Sequence, residues 1–387
     1  MRICHISTFW PTTGGHTHYT DNLIRGMRSH EPGQHVVVAE HTAAPVDTDA
    51  VRCIPAFDRH TDYGEKVALT AAEAGADVAI IQYSNDVFGD DERFPRMLAQ
   101  LRERGIRSVI NAHSVYPPRW RSHHAPERTI QAFDLACAAQ ATAFTVHSPR
   151  MRRDLLARGV APEQVFVIPH GSRALPQRDV RASRRELGIP EDAKVVLFFG
   201  FVWLGKGLSF LVDVFADLKK QVPEAYLYIG GHTRRQLWSF YMTYLRARAR
   251  LLGAGDRMKL WGSYVPDDMV PTVYSAADVV AMPYRQDYSS VSGVVHQTAG
   301  MGKLMLCSRI AKFDEVEASI DPALTLGPKD KKAWVDMLAR LLTDEVLAAS
   351  MRKKIQDFAE ATSWDNVGAQ HLALYHQLVE KTNAHTR

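Results

Sequence analysis

The sequence predicts two α/β domains, each built on a parallel sheet, that join near residue 175. Short apolar runs of the kind that form buried parallel strands alternate with segments of helical length in both halves of the chain. The segment 171–192 interrupts this alternation, because it is rich in Arg and Pro and holds no strand-like run. The length of 387 residues, 46% of them apolar, is enough for two cores of about 150 to 200 residues each.

Eleven strands are predicted, six before the interruption and five after it. Helix-length segments separate them, so consecutive strands are expected to be parallel. The predicted strands are 3–7, 35–39, 78–82, 108–112, 143–146, 165–168, 195–200, 225–229, 258–261, 279–282 and 303–307. From Lys331 onward, apolar residues recur at three- and four-residue spacing, which predicts a wholly helical C-terminal segment.

Composition argues against several classes of protein. No apolar run approaches the roughly 18 to 20 residues of a membrane-spanning helix, and no secretory pattern precedes the first strand, so a cytoplasmic protein is expected. The four cysteines include no close pair, which argues against a disulfide framework and a thiolate metal site. Buried thiols are expected instead. A net charge of +4 is too small to indicate a nucleic-acid partner.

Ligands of open parallel sheets bind at the carboxyl ends of the strands, so the loops that follow the predicted strands hold the candidate site residues. Gly14 and Gly15 follow the first strand and precede a helix, where backbone N–H groups can approach an anion or a sugar. The alternative is an ordinary strand-to-helix turn. His113 follows the fourth strand, where an imidazole can accept a proton or bond a sugar hydroxyl; the alternative is a structural histidine.

A lysine between two glycines follows the first strand of the second half. Gly205 and Gly207 would admit phosphate groups, and the Lys206 ammonium would supply the positive charge. The alternative is a solvated lysine in a tight turn.

Two further loops of the second half can face an anion. The first precedes a predicted helix with four small residues, Ser289, Ser290, Ser292 and Gly293. Their amides and hydroxyls can face an anionic leaving group, although ordinary helix capping by serine also explains them. The second is the turn 230–234, where His232 and Arg234 could hold part of a nucleotide.

Taken in order, these segments resemble the retaining nucleotide-sugar glycosyltransferases of GT-B architecture, the large bacterial group often called group 1 (family 4-like). The matching segments are the Gly14-Gly15 loop, His113, 167–171, 205–207, 264–268, 274–280, 292–303 and Ser363-Trp364. The resemblance implies two Rossmann-like doubly wound domains facing across a cleft. The implied domains are 1–175 for the acceptor, 176–362 for the nucleotide sugar and 363–387 as a C-terminal helix that crosses back to the first domain.

The resemblance also implies an activity. A hexosyl unit would pass, with retention and without a metal or a cofactor, from a nucleoside diphosphate sugar to a hydroxyl of a saccharide, lipid-linked or small-molecule acceptor. Lys206 would neutralise the departing diphosphate, and His113 would line the sugar side of the cleft. The implied donor-binding residues are Gly14, Gly15, Gly205, His232, Arg234, Ser289, Ser290, Ser292, Gly293, Val294 and Gln297. The implied acceptor-binding residues are His16, Tyr116 and Arg119.

The sequence departs from the family pattern in two places. Phe201 and Trp203 occupy the positions where the family usually carries an arginine shortly before the lysine. Ser289 and Gln297 occupy the positions of two glutamates, and Gln297 can bond a hydroxyl but cannot act as a carboxylate. These departures favour the alternative of a catalytically silent nucleotide-sugar-binding GT-B protein. A GT-B phosphorylase or a sugar-nucleotide epimerase is a third hypothesis.

Other arginines of the chain could replace the positive charge of the missing family arginine, or could bind the acceptor. Candidates to replace the missing arginine are Arg234, Arg235 and Arg285. Residues 93–158 hold twelve arginines against four acidic residues. Within them, 118–121 and 149–153 could face an anionic membrane that carries a lipid acceptor, bind an acidic or phosphorylated acceptor, or form a solvated basic surface. The prediction is a cytoplasmic protein with peripheral membrane contact as one alternative.

Overall fold

The computed structural model describes residues 1–233, 239–285 and 288–385. The chain divides into two compact α/β units. The N-terminal unit comprises Met1–Gly171, Tyr288–Val291 and Thr362–Arg387, and the C-terminal unit comprises Ser172–Asp287 and Ser292–Ala361.

The N-terminal unit is built on a sheet of eight strands. Its strands in chain order, together with the short β7, are β1 (Ile3–Ser7), β2 (His35–Glu40), β3 (Val46–Asp47), β4 (Val51–Phe57), β5 (Val78–Tyr83), β6 (Arg107–Ala112), β7 (Ser114–Val115), β8 (Ala143–Val146) and β9 (Val165–Val167). The order in the sheet is β3-β4-β2-β1-β5-β6-β8-β9. Only β3 runs antiparallel to its neighbour. Every residue of β1, β5 and β8 is buried, as expected for strands covered on both faces.

The C-terminal unit is built on six parallel strands. The strands that follow residue 193 in the chain are β10 (Lys194–Phe199), β11 (Ala225–Gly230), β12 (Met258–Leu260), β13 (Val279–Met282), β14 (Ser289–Ser290), β15 (Leu304–Ser308) and β16 (Thr325–Leu326). The short β14 belongs to the N-terminal unit, and the other six strands form the sheet. The order β12-β11-β10-β13-β15-β16 reverses direction between β10 and β13. This is the doubly wound arrangement, in which ligands bind where the order reverses.

Helices cover the sheets of both units. Those of the N-terminal unit that precede residue 171 are α1 (Gly15–Arg28), α2 (Gly64–Glu73), α3 (Asn85–Phe88), α4 (Arg93–Glu103), α5 (Ile130–Ala138) and α6 (Pro149–Leu156). Those of the C-terminal unit are α7 (Val180–Glu186), α8 (Leu208–Gln221), α9 (Ser239–Leu251), α10 (Val270–Ala276), α11 (Gly293–Gly300), α12 (Asp314–Ser319), α13 (Lys331–Thr343) and α14 (Glu345–Ala361). The last helix, α15 (Trp364–His385), belongs to the N-terminal unit.

The predicted secondary structure is largely confirmed. All eleven predicted strands are present, with ends that differ by at most one residue, and the segment from Lys331 onward is helical. The prediction missed β3, β4, β7, β14 and β16. In β4, Arg52 and Pro55 interrupt the apolar pattern, so its seven residues do not read as a buried strand. All four cysteines are buried, as expected.

The two units differ from the predicted continuous domains chiefly at one internal segment. Residues 288–291 cluster with the N-terminal unit, although 176–362 was expected to form one domain. The reason is a pairing that sequence patterns do not show: Ser289 and Ser290 lie antiparallel to Val115 and Ser114. The first long boundary falls between residues 171 and 172, close to the expected position near 175.

The C-terminal helix returns to the N-terminal unit, as the resemblance implies, and packs on α1 through two glycines. A Cβ atom at Gly26 would lie 2.0 Å from the carbonyl oxygen of Trp364, and one at Gly368 would lie 2.3 Å from the carbonyl carbon of Gly26. The backbones of α1 and α15 are therefore in direct contact at this crossing.

We predict that Gly26→Ala lowers the free energy of unfolding by about 1–3 kcal/mol, because the added methyl group must push two backbones apart. The matched control is Gly33→Ala, where a Cβ atom has nothing within 4 Å; its effect should stay below about 1 kcal/mol. Urea titrations followed by circular dichroism measure both. Equal unfolding free energies for the two variants would contradict the close helix crossing.

Candidate functional site

Lys206 lies where the strand order of the C-terminal sheet reverses. It belongs to the loop after β10, and Tyr284 belongs to the loop after β13, the neighbouring strand in the sheet. The Lys206 Nζ atom lies 3.6 Å from the centroid of the Tyr284 ring. This is a short cation–π contact, and the aromatic ring that makes it is itself buried.

The loops after β10 and β13 are held together through backbone atoms. Gly207 has a φ of +69°, and a Cβ atom there would lie 1.8 Å from the carbonyl oxygen of Pro283. The Arg285 N–H donates a hydrogen bond of 2.9 Å to the Gly205 carbonyl. Glycine at 207 is therefore required both by its backbone conformation and by its neighbour.

A second lysine accompanies Lys206. Burial, and to a smaller extent the charge of Lys312, lowers the pKa of Lys206 to about 7. Burial also lowers the pKa of Lys312 to about 8, although the Glu315 carboxylate opposes that effect. An anion bound beside these ammonium groups would raise both pKa values, because it favours the charged forms.

Lys312 was missed by the sequence analysis. It lies in the 3-10 turn Ala311–Phe313 that follows β15, so β10, β13 and β15, which are consecutive in the sheet, place Lys206, Tyr284 and Lys312 at one edge. Lys312 follows the predicted strand 303–307 as Lys206 follows the predicted strand 195–200, so the position of a lysine after a strand is the sequence signal for both.

Of the arginines expected to replace the missing charge, Arg285 is exposed, and Arg234 and Arg235 lie outside the described residues.

The start of α11 lies in the same unit as Lys206. Ser292 is the N-cap residue, and it is buried, yet its hydroxyl makes no capping hydrogen bond, so helix capping does not explain it. Gly293 is exposed, and the Val294 side chain lies 3.8 Å from the position of a Cβ atom on Gly200, at the end of β10. Gln297 accepts a hydrogen bond of 3.4 Å from the Tyr274 hydroxyl.

A buried histidine of α11, His296, connects this helix to two other segments of the C-terminal unit. His296 Nδ1 lies 3.0 Å from the Ser172 hydroxyl, and Nε2 lies 3.1 Å from a Glu315 carboxylate oxygen. Because Glu315 also interacts with Lys312, this histidine joins α11 to the second lysine. The sequence contained no signal for it beyond a histidine in an apolar helix.

Ser289 and Ser290, predicted with the same donor loop, belong to the N-terminal unit. They form β14, which pairs with β7, and the Ser289 hydroxyl donates to the Asp154 carboxylate of α6. The predicted loop is thus divided, with Ser292 and the residues that follow it in the other unit.

His232 follows β11 at the same edge of the C-terminal sheet. Its carbonyl accepts a hydrogen bond of 2.9 Å from the Val202 N–H. Its ring lies between Phe201 and Tyr264, with centroids 5.3 Å and 5.6 Å away. The predicted Arg234 lies outside the described residues.

Three histidines follow three neighbouring strands of the N-terminal sheet. His113 follows β6, His147 follows β8 and His170 follows β9. All three surround the buried Tyr19 of α1, with ring centroids 4.7 Å, 5.5 Å and 5.1 Å from it. Trp364 of α15 lies on another side of Tyr19, at 4.8 Å. The sequence predicted only His113 of this cluster.

His113 and His147 form a hydrogen-bonded pair, with Nδ1 of the former 3.3 Å from Nε2 of the latter. Their outer nitrogens face oxygens: His147 Nδ1 lies 3.1 Å from the Ile168 carbonyl, and His113 Nε2 lies 2.9 Å from Gln82 Oε1. Three contacts of this kind need three ring protons, whereas two neutral imidazoles carry two. A neutral pair can donate to two of the three partners, and the Gln82 oxygen also accepts a hydrogen bond of 2.8 Å from Asn111 Nδ2.

The neutral state of His113 is favoured by its surroundings. Burial holds its pKa well below the usual value, and the neighbouring histidines His16, His147, His170 and His371 lower it further. Both ring nitrogens are engaged within the unit. His113 can thus shape a binding surface without carrying charge at neutral pH.

The Gly14-Gly15 turn opens α1 beside this cluster. A Cβ atom at either glycine would have nothing within 4 Å, and no side chain caps the helix. The first amides of α1 therefore have no side-chain cap, and the glycines leave room beside them, as a binding site for an anion or a sugar needs. His16 lies edge-on to His113, with centroids 4.8 Å apart.

The predicted acceptor residues Tyr116 and Arg119 lie in a loop that a buried carboxylate anchors. Asp90, fully buried, accepts hydrogen bonds from the backbone N–H groups of His123 and His124, each 3.0 Å long. Tyr116 packs on Tyr288, with centroids 4.9 Å apart, and Arg119 is exposed.

Two other kinds of feature are absent from residues 1–233, 239–285 and 288–385. None of the helices there is long and apolar enough to cross a membrane. No three His, Cys, Asp or Glu side chains there are grouped so that they could hold a metal ion. Independence of a metal or cofactor stays a prediction.

Two protein-family models match the chain. "Glycosyltransferase Family 4" matches residues 13–172, and "Glycosyl transferases group 1" matches residues 193–344. The D-inositol 3-phosphate glycosyltransferase of Corynebacterium urealyticum is 30% identical over 205 residues, 52% of this chain and 47% of the relative. The protein of that name from Corynebacterium glutamicum is 29% identical over 253 residues, 63% and 59% of the two chains. The chain thus spans about half the length of these curated relatives.

Solved structures share the fold at low sequence identity. Anabaena HepE in complex with UDP has a TM-score of 0.73 at 15% identity and covers 97% of this chain and 100% of that chain. Sucrose-phosphate synthase from Thermosynechococcus elongatus has a TM-score of 0.75 at 20% identity and covers 98% and 99%. These likenesses confirm the predicted fold class of two Rossmann-like domains of GT-B type.

We predict that the protein loses stability as the pH falls from 6.5 toward 4. Burial lowers the pKa of His35 to about 4 and that of His371 to about 3, and it holds those of His5 and His113 well below the usual value. Below pH 6.5 the unfolded chain therefore binds more protons than the folded chain. Each histidine contributes a loss of about 1.4 kcal/mol per pH unit.

Urea titrations between pH 5 and 7 measure this slope. In His371→Leu the slope should be shallower by the contribution of one proton, about 1.4 kcal/mol per pH unit. The control is His41→Leu at an exposed histidine, which should keep the full slope. A slope that His371→Leu leaves unchanged would contradict the neutral buried state.

Proposed function

We propose that this chain, which belongs to the group 1, family 4-like glycosyltransferases, transfers a hexosyl unit from a nucleoside diphosphate sugar to a hydroxyl acceptor with retention of configuration. The observation that carries the proposal is the cluster of Lys206, Tyr284 and Lys312 at the carboxyl ends of three adjacent strands, in one unit with the uncapped start of α11. The matches to both family models support it.

The chemistry that such a cluster supplies is neutralisation of a leaving group. When the glycosidic bond breaks, negative charge moves onto the diphosphate, and catalysis requires groups that bind this charge more strongly in the transition state than in the ground state. Lys206 and Lys312 are partly desolvated, so their attraction to an anion is stronger than in water. Lys312 takes the electrostatic role of the arginine that the chain lacks.

The start of α11 would contribute without formal charge. Backbone N–H groups at Ser292 and Gly293 can donate to phosphate oxygens, and the helix dipole favours an anion there. Gln297 would bond a sugar or ribose hydroxyl, since an amide cannot act as a carboxylate. Val294 and His232 would bound the donor on its apolar side.

The N-terminal unit would hold the acceptor and bound the transferred sugar. His113, held by Gln82 and His147, would line the sugar side, while the uncapped amides at Gly14 and Gly15 would bind polar groups. His16, Tyr116 and Arg119 are proposed for the acceptor. The curated relatives carry the name D-inositol 3-phosphate glycosyltransferase, so a phosphorylated polyol is the first acceptor to test.

We predict that Lys206→Ala lowers turnover about 10²–10³-fold, the usual cost of removing one group that stabilises developing charge. Glucose and mannose donors of UDP, GDP, ADP and TDP are incubated with D-inositol 3-phosphate and with simple sugars, and product is measured by mass spectrometry. Lys332→Ala, at an exposed lysine of the same unit, is the matched control and should keep full activity.

Three other results of this experiment would each contradict the proposal. Normal turnover in Lys206→Ala would remove the charge argument. Donor binding in calorimetry without any sugar release by the unmodified protein would establish the catalytically silent binder. Dependence on orthophosphate, or epimer formation without an acceptor, would establish a phosphorylase or an epimerase.

We also predict that binding of UDP at pH 8 takes up protons. With a pKa of about 7, Lys206 is mostly neutral in the free protein at this pH, and the diphosphate favours the charged ammonium. The calorimetric binding enthalpy should therefore change with the ionisation enthalpy of the buffer. In Lys206→Met the proton uptake should fall by up to one proton, and an unchanged uptake would contradict the low pKa of Lys206.

A further inference from the structure

Helix α9 has apolar residues on two opposite faces, and only one of them is covered. Tyr241, Met242, Leu245 and Ala249 are buried in the core of the C-terminal unit. On the other side, Phe240, Tyr244, Ala247 and Leu251 are exposed. Their spacing of four, seven and eleven residues places them in one stripe, about 16 Å long. Phe240 and Leu251, at its ends, are 77% and 88% exposed.

Arginines flank this stripe, and α9 contains no acidic residue. Arg246 and Arg250 are exposed on one side, and within the described part of the chain neither makes an ion pair. Arg248, on the other side, is paired with Asp213 and donates a hydrogen bond of 3.1 Å to the Tyr244 hydroxyl. An apolar stripe with basic groups beside it is the pattern of a helix that lies in a membrane interface.

We propose that the exposed stripe of α9 docks the C-terminal unit on an anionic lipid surface. Phe240 and Leu251 would enter the boundary between headgroups and acyl chains, and Arg246 and Arg250 would bind anionic headgroups. This proposal goes beyond the transfer reaction and does not depend on it.

The size of the exposed surface favours a membrane over a second copy of the chain. The exposed fractions of Phe240, Tyr244 and Leu251 are 77%, 45% and 88%, which correspond to roughly 400 Å² at about 200 Å² for each large side chain. A stable protein interface buries about 800 Å² on each partner. A bilayer needs only the narrow stripe, and the adjacent arginines match its negative charge.

The structure directs this role to α9 and away from α6, the basic segment that the sequence suggested. Met151 and Leu155 of α6 are buried in the core, and Leu156 packs against it partly buried. Arg152 donates to the carbonyl of Val165, so part of the basic face of α6 is used within the unit. Helix α6 therefore has no exposed apolar stripe to insert.

The test is sedimentation of the full chain with vesicles of phosphatidylcholine, with and without about one third phosphatidylglycerol. The protein should bind only the anionic vesicles, and less at about 1 M salt than at about 0.1 M, because the Debye length falls from about 10 Å to about 3 Å. The double variant F240S/L251S should lose at least about tenfold in partitioning. The double variant R246Q/R250Q should lose about fivefold for each arginine.

The matched control is Val346→Ser, at a residue that is 83% exposed on α14 and lies outside the stripe; it should bind as the unmodified protein does. All substituted residues are exposed, so thermal unfolding should stay unchanged and exclude misfolding. No binding to anionic vesicles, or equal binding by F240S/L251S, would overturn the proposal. A dimer in solution that F240S/L251S dissociates would overturn it in favour of a second copy of the chain. Donor binding by the same variants would stay normal in every case.

Discussion

Parallel strands place all their carboxyl ends at one edge of a sheet, and the candidate sites of this protein depend on that constraint. In the C-terminal unit it brings Lys206, Tyr284 and Lys312 together, although the first and last are separated by 106 positions in the chain numbering. In the N-terminal unit it brings His113, His147 and His170 around one tyrosine. The loops at these ends are free to vary in sequence, while the strands position them.

Buried positive charge is the chemical consequence in the C-terminal unit. Two lysines whose pKa values are lowered by burial are costly to hold in the charged state, and an aromatic ring offsets only part of that cost. Such an arrangement is stabilised when an anion binds. Its location at the reversal of strand order, in one unit with an uncapped helix start, is what a diphosphate-binding site requires.

The candidate site of the N-terminal unit is built from hydrogen-bonded histidines, whereas that of the C-terminal unit is built from buried lysines. The surroundings of His113 hold its pKa well below the usual value, and the pair His113–His147 extends from Gln82 to a backbone carbonyl. The pair therefore positions a ring at the strand edge with little freedom to turn. A rigid neutral edge beside the uncapped amides of α1 suits recognition of hydroxyl groups better than transfer of a proton.

The sequence by itself determined the strand positions, the Gly205-Lys206-Gly207 turn and the resemblance to the family, because strand periodicity and turn chemistry are local properties. Only the tertiary structure decided that Lys312 and Tyr284 accompany Lys206, that His147 holds His113, and that Ser289 and Ser290 pair with β7. It also decided which apolar face of α9 is covered and which is exposed. These are contacts between residues far apart in the chain, and they are set by how strands and helices pack, which no local pattern records.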